Sequence, residues 1–76
     1  MEIEYDKDVD ALYIRLREGS LGKNLKIDDR TILDLDKKGE ILGIEILDAS
    51  RRLSAESLSR VKTKNLPLLA TATKSS

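Results

Sequence analysis

The sequence predicts an α+β domain: an antiparallel sheet of four to five strands with one C-terminal helix packed on one face. Three observations predict it. Apolar and polar residues alternate in several short runs over the first 48 residues, as half-buried strands require. Turn-forming Asp and Gly clusters separate those runs. After Asp48 the alternation gives way to helical spacing.

The strands follow in order. "EIEYD" puts Ile3 and Tyr5 on one side and Glu2 and Glu4 on the other. "DALYIRLRE" sets Leu12, Ile14 and Leu16 against Tyr13, Arg15 and Arg17. "DKDV" between them is a turn, and "EGSLG" is a Gly-rich turn. "NLKIDD" alternates through Leu25 and Ile27, and "RTILDLD" and "EILGIEIL" complete the set. A four-residue loop from Asp36 to Gly39 would set Leu35 opposite Glu40 and Leu33 opposite Leu42. Leu33 and Leu35 then share a face with Leu42, Ile44 and Ile46. A three-residue loop would separate Leu33 from Leu42, because a one-residue slip moves a side chain to the other face. Asp at the start and Gly at the end suit a type I turn closed by a left-handed residue.

Ser54 is the expected helix N-cap, with Glu56 in the first turn. Ala55, Leu58 and Val61 form a narrow apolar stripe, expected to cover Leu12, Ile14, Leu33 and Ile44. Pro67 disfavours helix at Leu66, so the helix is expected to end near Lys64. The expected division is a sheet-plus-helix domain over 1–64 and a C-terminal tail over 65–76.

Composition narrows the chemistry. The 76 residues contain no Cys and no His. That removes disulfides, thiolate nucleophiles, the usual neutral-pH base and the commonest zinc ligand. No apolar run approaches the ~20 residues of a membrane span, and the acidic start lacks a signal peptide's apolar segment. The expected location is the cytoplasm, with no membrane association. Charged residues make up 37% of the chain, Gln is absent and Asn occurs twice, a pattern shared with heat-adapted proteins. Residues 1–48 hold 13 acidic and 8 basic side chains, whereas residues 49–76 hold 6 basic and 1 acidic. The body is acidic and the C-terminal third basic.

"DLDKKGEILGIE", Asp34 to Glu45, follows an EF-hand calcium loop at several positions. A calcium loop needs a flanking helix on each side. "LKIDDRTIL" instead has period two, Lys38 occupies a position where a carboxylate usually sits, and Ile41 to Ile46 reads as strand. The β-hairpin accounts for the stretch, and no metal or cofactor is expected. "DKDVD" offers a second row of carboxylates, but Ala11 and Arg17 stand where a Gly and a Glu would be needed.

The two stretches "IEYDKDVDALYIRL" and "TILDLDKKGEILGIEILDASRRL" resemble the bacterial and archaeal family known as domain of unknown function 2283. The match runs through Tyr5, Asp6, Asp10, Ala11, Leu12, Tyr13 and Ile14. It continues through Asp34, Asp36, Gly39, Gly43, Ile44, Glu45, Ile46, Leu47, Asp48, Ala49 and Ser50. The resemblance covers about residues 1–53 and implies a small sheet-rich domain with no assigned activity. Members encoded beside small toxin-like proteins imply an antitoxin-like role.

Functional expectations centre on the sheet face opposite the core. Tyr13, Ile32, Ile41 and Leu47 would form an apolar patch there, with Arg15, Arg17, Asp34 and Glu45 among them. Such a patch marks a protein interface more often than an active site. The expected function is therefore a protein-interaction module forming a homodimer through this face, or a complex with a toxin-like partner. The alternative is a carboxylate-based enzyme or a metal-binding site on the same face. Asp48 and Ser50 are expected to cap a strand-to-helix junction; with no base beside Ser50, a nucleophile has no activator. Nucleic acid is not an expected partner, because the basic third lacks stacking aromatics and the body would repel phosphate.

Overall fold

The structure is a computed structural model and describes residues 1–67. Five strands, β1 (Glu2–Asp6), β2 (Ala11–Arg15), β3 (Leu21–Asp28), β4 (Thr31–Asp36) and β5 (Ile41–Leu47), precede one helix, α1 (Ala49–Leu58). The strands form a single antiparallel sheet in the order β1-β2-β5-β4-β3. The α+β expectation holds at its upper strand count. Strand β3 begins at Leu21, inside the segment expected to be a turn. Gly22 permits this, since a Cβ there would lie 2.5 Å from the Asp36 carbonyl oxygen.

Pairing carries one apolar row across the whole sheet. Ile3 pairs with Ile14, Ile14 with Ile44, Ile44 with Leu33, and Leu33 with Leu25. This is the inner face. The outer face carries Glu4, Tyr13, Glu45, Ile32 and Lys26 in a parallel row.

The β4–β5 hairpin reaches the expected facing by another register. Asp36 N–H donates to Glu40 O at 2.8 Å, and Gly39 N–H donates to Asp36 O at 3.0 Å. The loop is thus Lys37-Lys38-Gly39, with Gly39 at φ 88°, where the lack of a Cβ removes the steric penalty. A bulge then absorbs one residue: Leu35 pairs with Ile41, but Asp34 pairs with Gly43. Leu42 is the extra residue. Its insertion restores alternation, so Leu33 faces Ile44 rather than Leu42. It also pairs Ile41 with Leu35 instead of leaving it in line with the outer row. The Leu42 carbonyl accepts N–H bonds from Leu16 at 2.8 Å and Arg17 at 3.4 Å, so the bulge also terminates the β2 edge.

The helix differs more from expectation. It starts at Ala49, five residues before the expected cap. Ser54 lies within it at φ 70°, ψ 154° and divides it into two short turns. Locally the capping chemistry is as expected, because Ser57 N–H donates to Ser54 Oγ at 3.2 Å. The helix ends at Leu58, not near Lys64, and Val61 is 66% exposed. The chain after Leu58 leaves helical geometry before the stripe can lengthen, so helix covers only one end of the sheet, where Ala55 and Leu58 stand beside Tyr5. Residues 68–76 of the expected tail, Lys74 among them, lie outside the described residues.

The buried apolar set is Ala11, Leu12, Leu35, Leu42 and Ala49. Leu42→Ala should cost about 2–5 kcal/mol, the usual range for a buried leucine. Val61→Ala should change stability by less than about 0.5 kcal/mol. Urea melts of both variants decide this ranking.

Candidate functional site

Two polar clusters and one apolar face stand out. The first cluster joins the β1–β2 turn to the start of α1. Asp10 adopts a left-handed backbone at φ 55°, which turns its carboxylate toward the helix. Its Oδ1 accepts the Tyr5 hydroxyl at 2.7 Å and the Ser50 N–H at 3.0 Å, and its Oδ2 accepts the Ser50 hydroxyl at 2.8 Å. The Asp10 carbonyl accepts the Ala49 N–H at 3.0 Å. An orphan N–H at the helix start is thus met from forty residues away. The expected cap, Asp48, makes no side-chain cap bond. It supplies a left-handed backbone instead and faces Arg30 at 3.6 Å and Arg51 at 3.8 Å. The Tyr5 hydroxyl and then Ser50 hold the Asp10 carboxyl below its ordinary range.

The second cluster lies on the outer face. The Tyr13 hydroxyl donates to Asp34 Oδ2 at 2.9 Å, and Asn24 Nδ2 donates to Asp34 Oδ1 at 2.6 Å. Burial, followed by the bond to Asp34, pushes the Tyr13 phenol up, so it stays a donor at neutral pH. Tyr13 must cross β5 to reach Asp34 on β4, and it does so over Gly43. A Cβ on Gly43 would lie 2.5 Å from the Tyr13 hydroxyl oxygen and 2.8 Å from the Ile14 carbonyl. The Arg15 guanidinium sits 5.4 Å from the Tyr13 ring centroid, in cation–π range, and pairs with Glu2 at 3.6 Å.

Of the eight expected interface residues, strand pairing brings Tyr13, Arg15, Ile32, Asp34, Glu45 and Leu47 onto the outer face, all half-buried. Ile41 leaves that set through the bulge. Arg17 lies past the end of β2 and bonds Asp36 Oδ2 at 2.6 Å. Asp36 Oδ1 accepts the Lys38 and Glu40 N–H groups, so the carboxylate of the calcium-like stretch is spent on its own hairpin. Arg17 first, then these N–H groups, lowers its carboxyl. Among the described residues no three Asp or Glu side chains converge to hold a metal ion. No helix among them is long and apolar enough to cross a membrane.

The apolar face is what the sequence reading missed. At the ends of the inner row Ile3 is 44% and Leu25 42% exposed, with Ile27 nearby at 57%. The expected helix would have covered this row. Between those ends Ile14, Leu33 and Ile44 are half-buried.

The model of a family described as protein of unknown function, DUF2283, matches residues 2–50. The chain belongs to that family. It is also 32% identical over 62 residues to an uncharacterised protein of Methanocaldococcus jannaschii, a match spanning 82% of this chain and 53% of the relative. The chain thus spans about half the length of that relative. No solved structure matches it at a significant level. Tyr5, Asp10 and Ser50 of the first cluster and Tyr13, Asp34 and Gly43 of the second all lie within the matched residues 2–50. Both sets hold strands and helix in place.

Gly43→Ala should destabilise the fold by about 1–3 kcal/mol, the usual cost of overpacking, as measured in denaturant melts. Asp10 yields a pH signature. Its folded carboxyl is held below its unfolded value, so its contribution is fully present above about pH 4. That contribution is lost as pH falls through the lower folded value. Asp10→Asn should therefore lower Tm at pH 7, with the gap to wild type narrowing as pH falls below the unfolded value of about 4. Thermal melts across that range read it out.

Proposed function

We propose that this protein is a protein-interaction module that self-associates through a face of its sheet. One observation carries the reading: among the described residues, a five-stranded sheet with an apolar inner face has a single ten-residue, broken helix as its second layer. Stable domains bury a sheet face against another layer. Among the described residues no large side chain is fully buried. The chain exposes 6277 Å², against about 4,700 Å² for a compact monomer of its mass. A core of this size supplies roughly 3–5 kcal/mol at best, and apolar area buried against another chain adds about 25 cal/mol per Å².

The reading extends to a toxin-like partner, in keeping with an antitoxin-like role. Arg51, Arg52, Arg60, Lys62 and Lys64 are all exposed. They form a basic segment suited to an acidic protein surface. The clusters at Asp10 and Asp34 favour a structural role for the carboxylates over acid–base chemistry, since their oxygens are occupied by Tyr5, Ser50, Tyr13 and Asn24.

Light scattering at about 100 μM, roughly a hundredfold above a micromolar dissociation constant, should give twice the chain mass. A chain mass of one at that concentration would overturn self-association.

A further inference from the structure

We infer that the hollow between the start of β3 and the β4–β5 loop is a binding site for a small compound carrying two or more phosphate groups. The hollow is open to solvent and has a volume of about 450 Å³. Gly22, Lys23, Asp36, Lys37, Lys38 and Gly39 line it. Lys23 is distant in sequence from the two loop lysines. The pairing of Leu21 with Asp36 brings all three to one place.

The three lysines give the hollow its charge. Arg15, Arg17, Lys26, Arg30, Arg51 and Arg60 each face a carboxylate, whereas Lys23, Lys37 and Lys38 make no ion pair among the described residues. Asp36 is the one carboxylate in the lining, and its oxygens are committed elsewhere. Its Oδ2 meets Arg17, and its Oδ1 accepts the Lys38 and Glu40 N–H groups. Arg17 offsets the Asp36 charge, so the lysine charges stand unbalanced. Like charges gathered in this way repel one another, and a bound anion relieves that repulsion.

Edge protection accounts for one of the three lysines. Lys23 pairs with Leu35 and so lies on the inner face of an edge strand, where a charge blunts pairing with another chain. It does not account for Lys37 and Lys38, which belong to the loop. The glycines supply room for a ligand. A Cβ on Gly39 would meet nothing within 4 Å, and Gly22 lies against the Asp36 carbonyl with no side chain of its own. Lysine binds phosphate as a point charge, and several such charges favour a multiply charged ligand. The volume falls within the ~300–1,000 Å³ of small-molecule sites. No aromatic side chain lines the hollow, so it offers no stacking platform for the bases of a single-stranded nucleic acid.

Inorganic tripolyphosphate is the probe, titrated into the isotope-labelled full chain and followed by amide NMR shifts. The buffer holds about 0.15 M salt, where exposed charges beyond ~8 Å are screened. The expected result is saturation of a single site, with shifts confined to Gly22, Lys23 and the loop from Asp36 to Gly39. Combining Lys37→Gln with Lys38→Gln should weaken binding at least about tenfold, and Lys23→Gln alone should weaken it as well. Combining Lys62→Gln with Lys64→Gln removes the same charge from the basic segment and should leave the affinity unchanged. All five lysines are exposed, so the variants should keep the fold, as circular dichroism checks. Failure to saturate by about 10 mM, tenfold above a millimolar dissociation constant, overturns the site. So do shifts spread over the basic segment, or equal weakening by both double variants. A single-stranded oligonucleotide that binds the same residues more tightly than tripolyphosphate overturns the assignment to a small ligand.

Discussion

The fold depends on the pairing of β2 with β5. Every other strand contact is a hairpin between neighbours in sequence: β1 with β2, β3 with β4, β4 with β5. Joining Ala11–Arg15 to Gly43–Leu47 closes a loop of about thirty residues, whose entropy must be offset by the contacts it makes. Both ends of this union are fastened. At one, the Asp10 carboxylate and carbonyl take N–H groups from Ser50 and Ala49. At the other, the bulged Leu42 carbonyl takes N–H groups from Leu16 and Arg17. Between them β5 becomes the central strand, and the apolar row through Ile44 exists only because it does.

A third fastening sits at the β3–β4 turn. The Arg30 carbonyl accepts the Leu47 N–H at 2.9 Å and an Arg52 guanidinium N–H at 2.7 Å. The first turn of α1 is therefore held from both sides, by Asp10 and by Arg30. Beyond Ser54 no comparable anchor follows, and the helix ends within a turn. Among the described residues, a well-held helix start and a short helix body leave helix over only one end of the inner face.

Carboxylates abound in this sequence, and their placement invites catalytic or metal-binding readings. Tertiary structure assigns them other work. Asp10 caps a helix, Asp34 receives Tyr13 and Asn24 across the outer face, and Asp36 closes its own hairpin while meeting Arg17. In each case the oxygens already accept hydrogen bonds. All of these residues lie within the family-matched stretch 2–50, as does Gly43, whose missing side chain gives Tyr13 its path.

By itself the sequence determined the strands, their turns and the division into two faces, because alternation with period two is local and depends only on neighbouring residues. It also determined that "DLDKKGEILGIE" is a hairpin, since Asp36 and Gly39 specify a turn and a strand pattern follows. Ser54 was legible as a cap for the same local reason. Tertiary structure alone decided the rest. The bulge at Leu42 arises where the tight loop and the apolar facing must be reconciled, and alternation by itself is met equally well by a longer loop. The cap on α1 comes from Asp10 rather than Asp48, a partnership across forty residues that local spacing does not encode. Whether the helix reaches the apolar row depends on where it is anchored and where it stops. Helical spacing at Leu58 and Val61 describes a stripe, and only the path of the chain decides what that stripe covers.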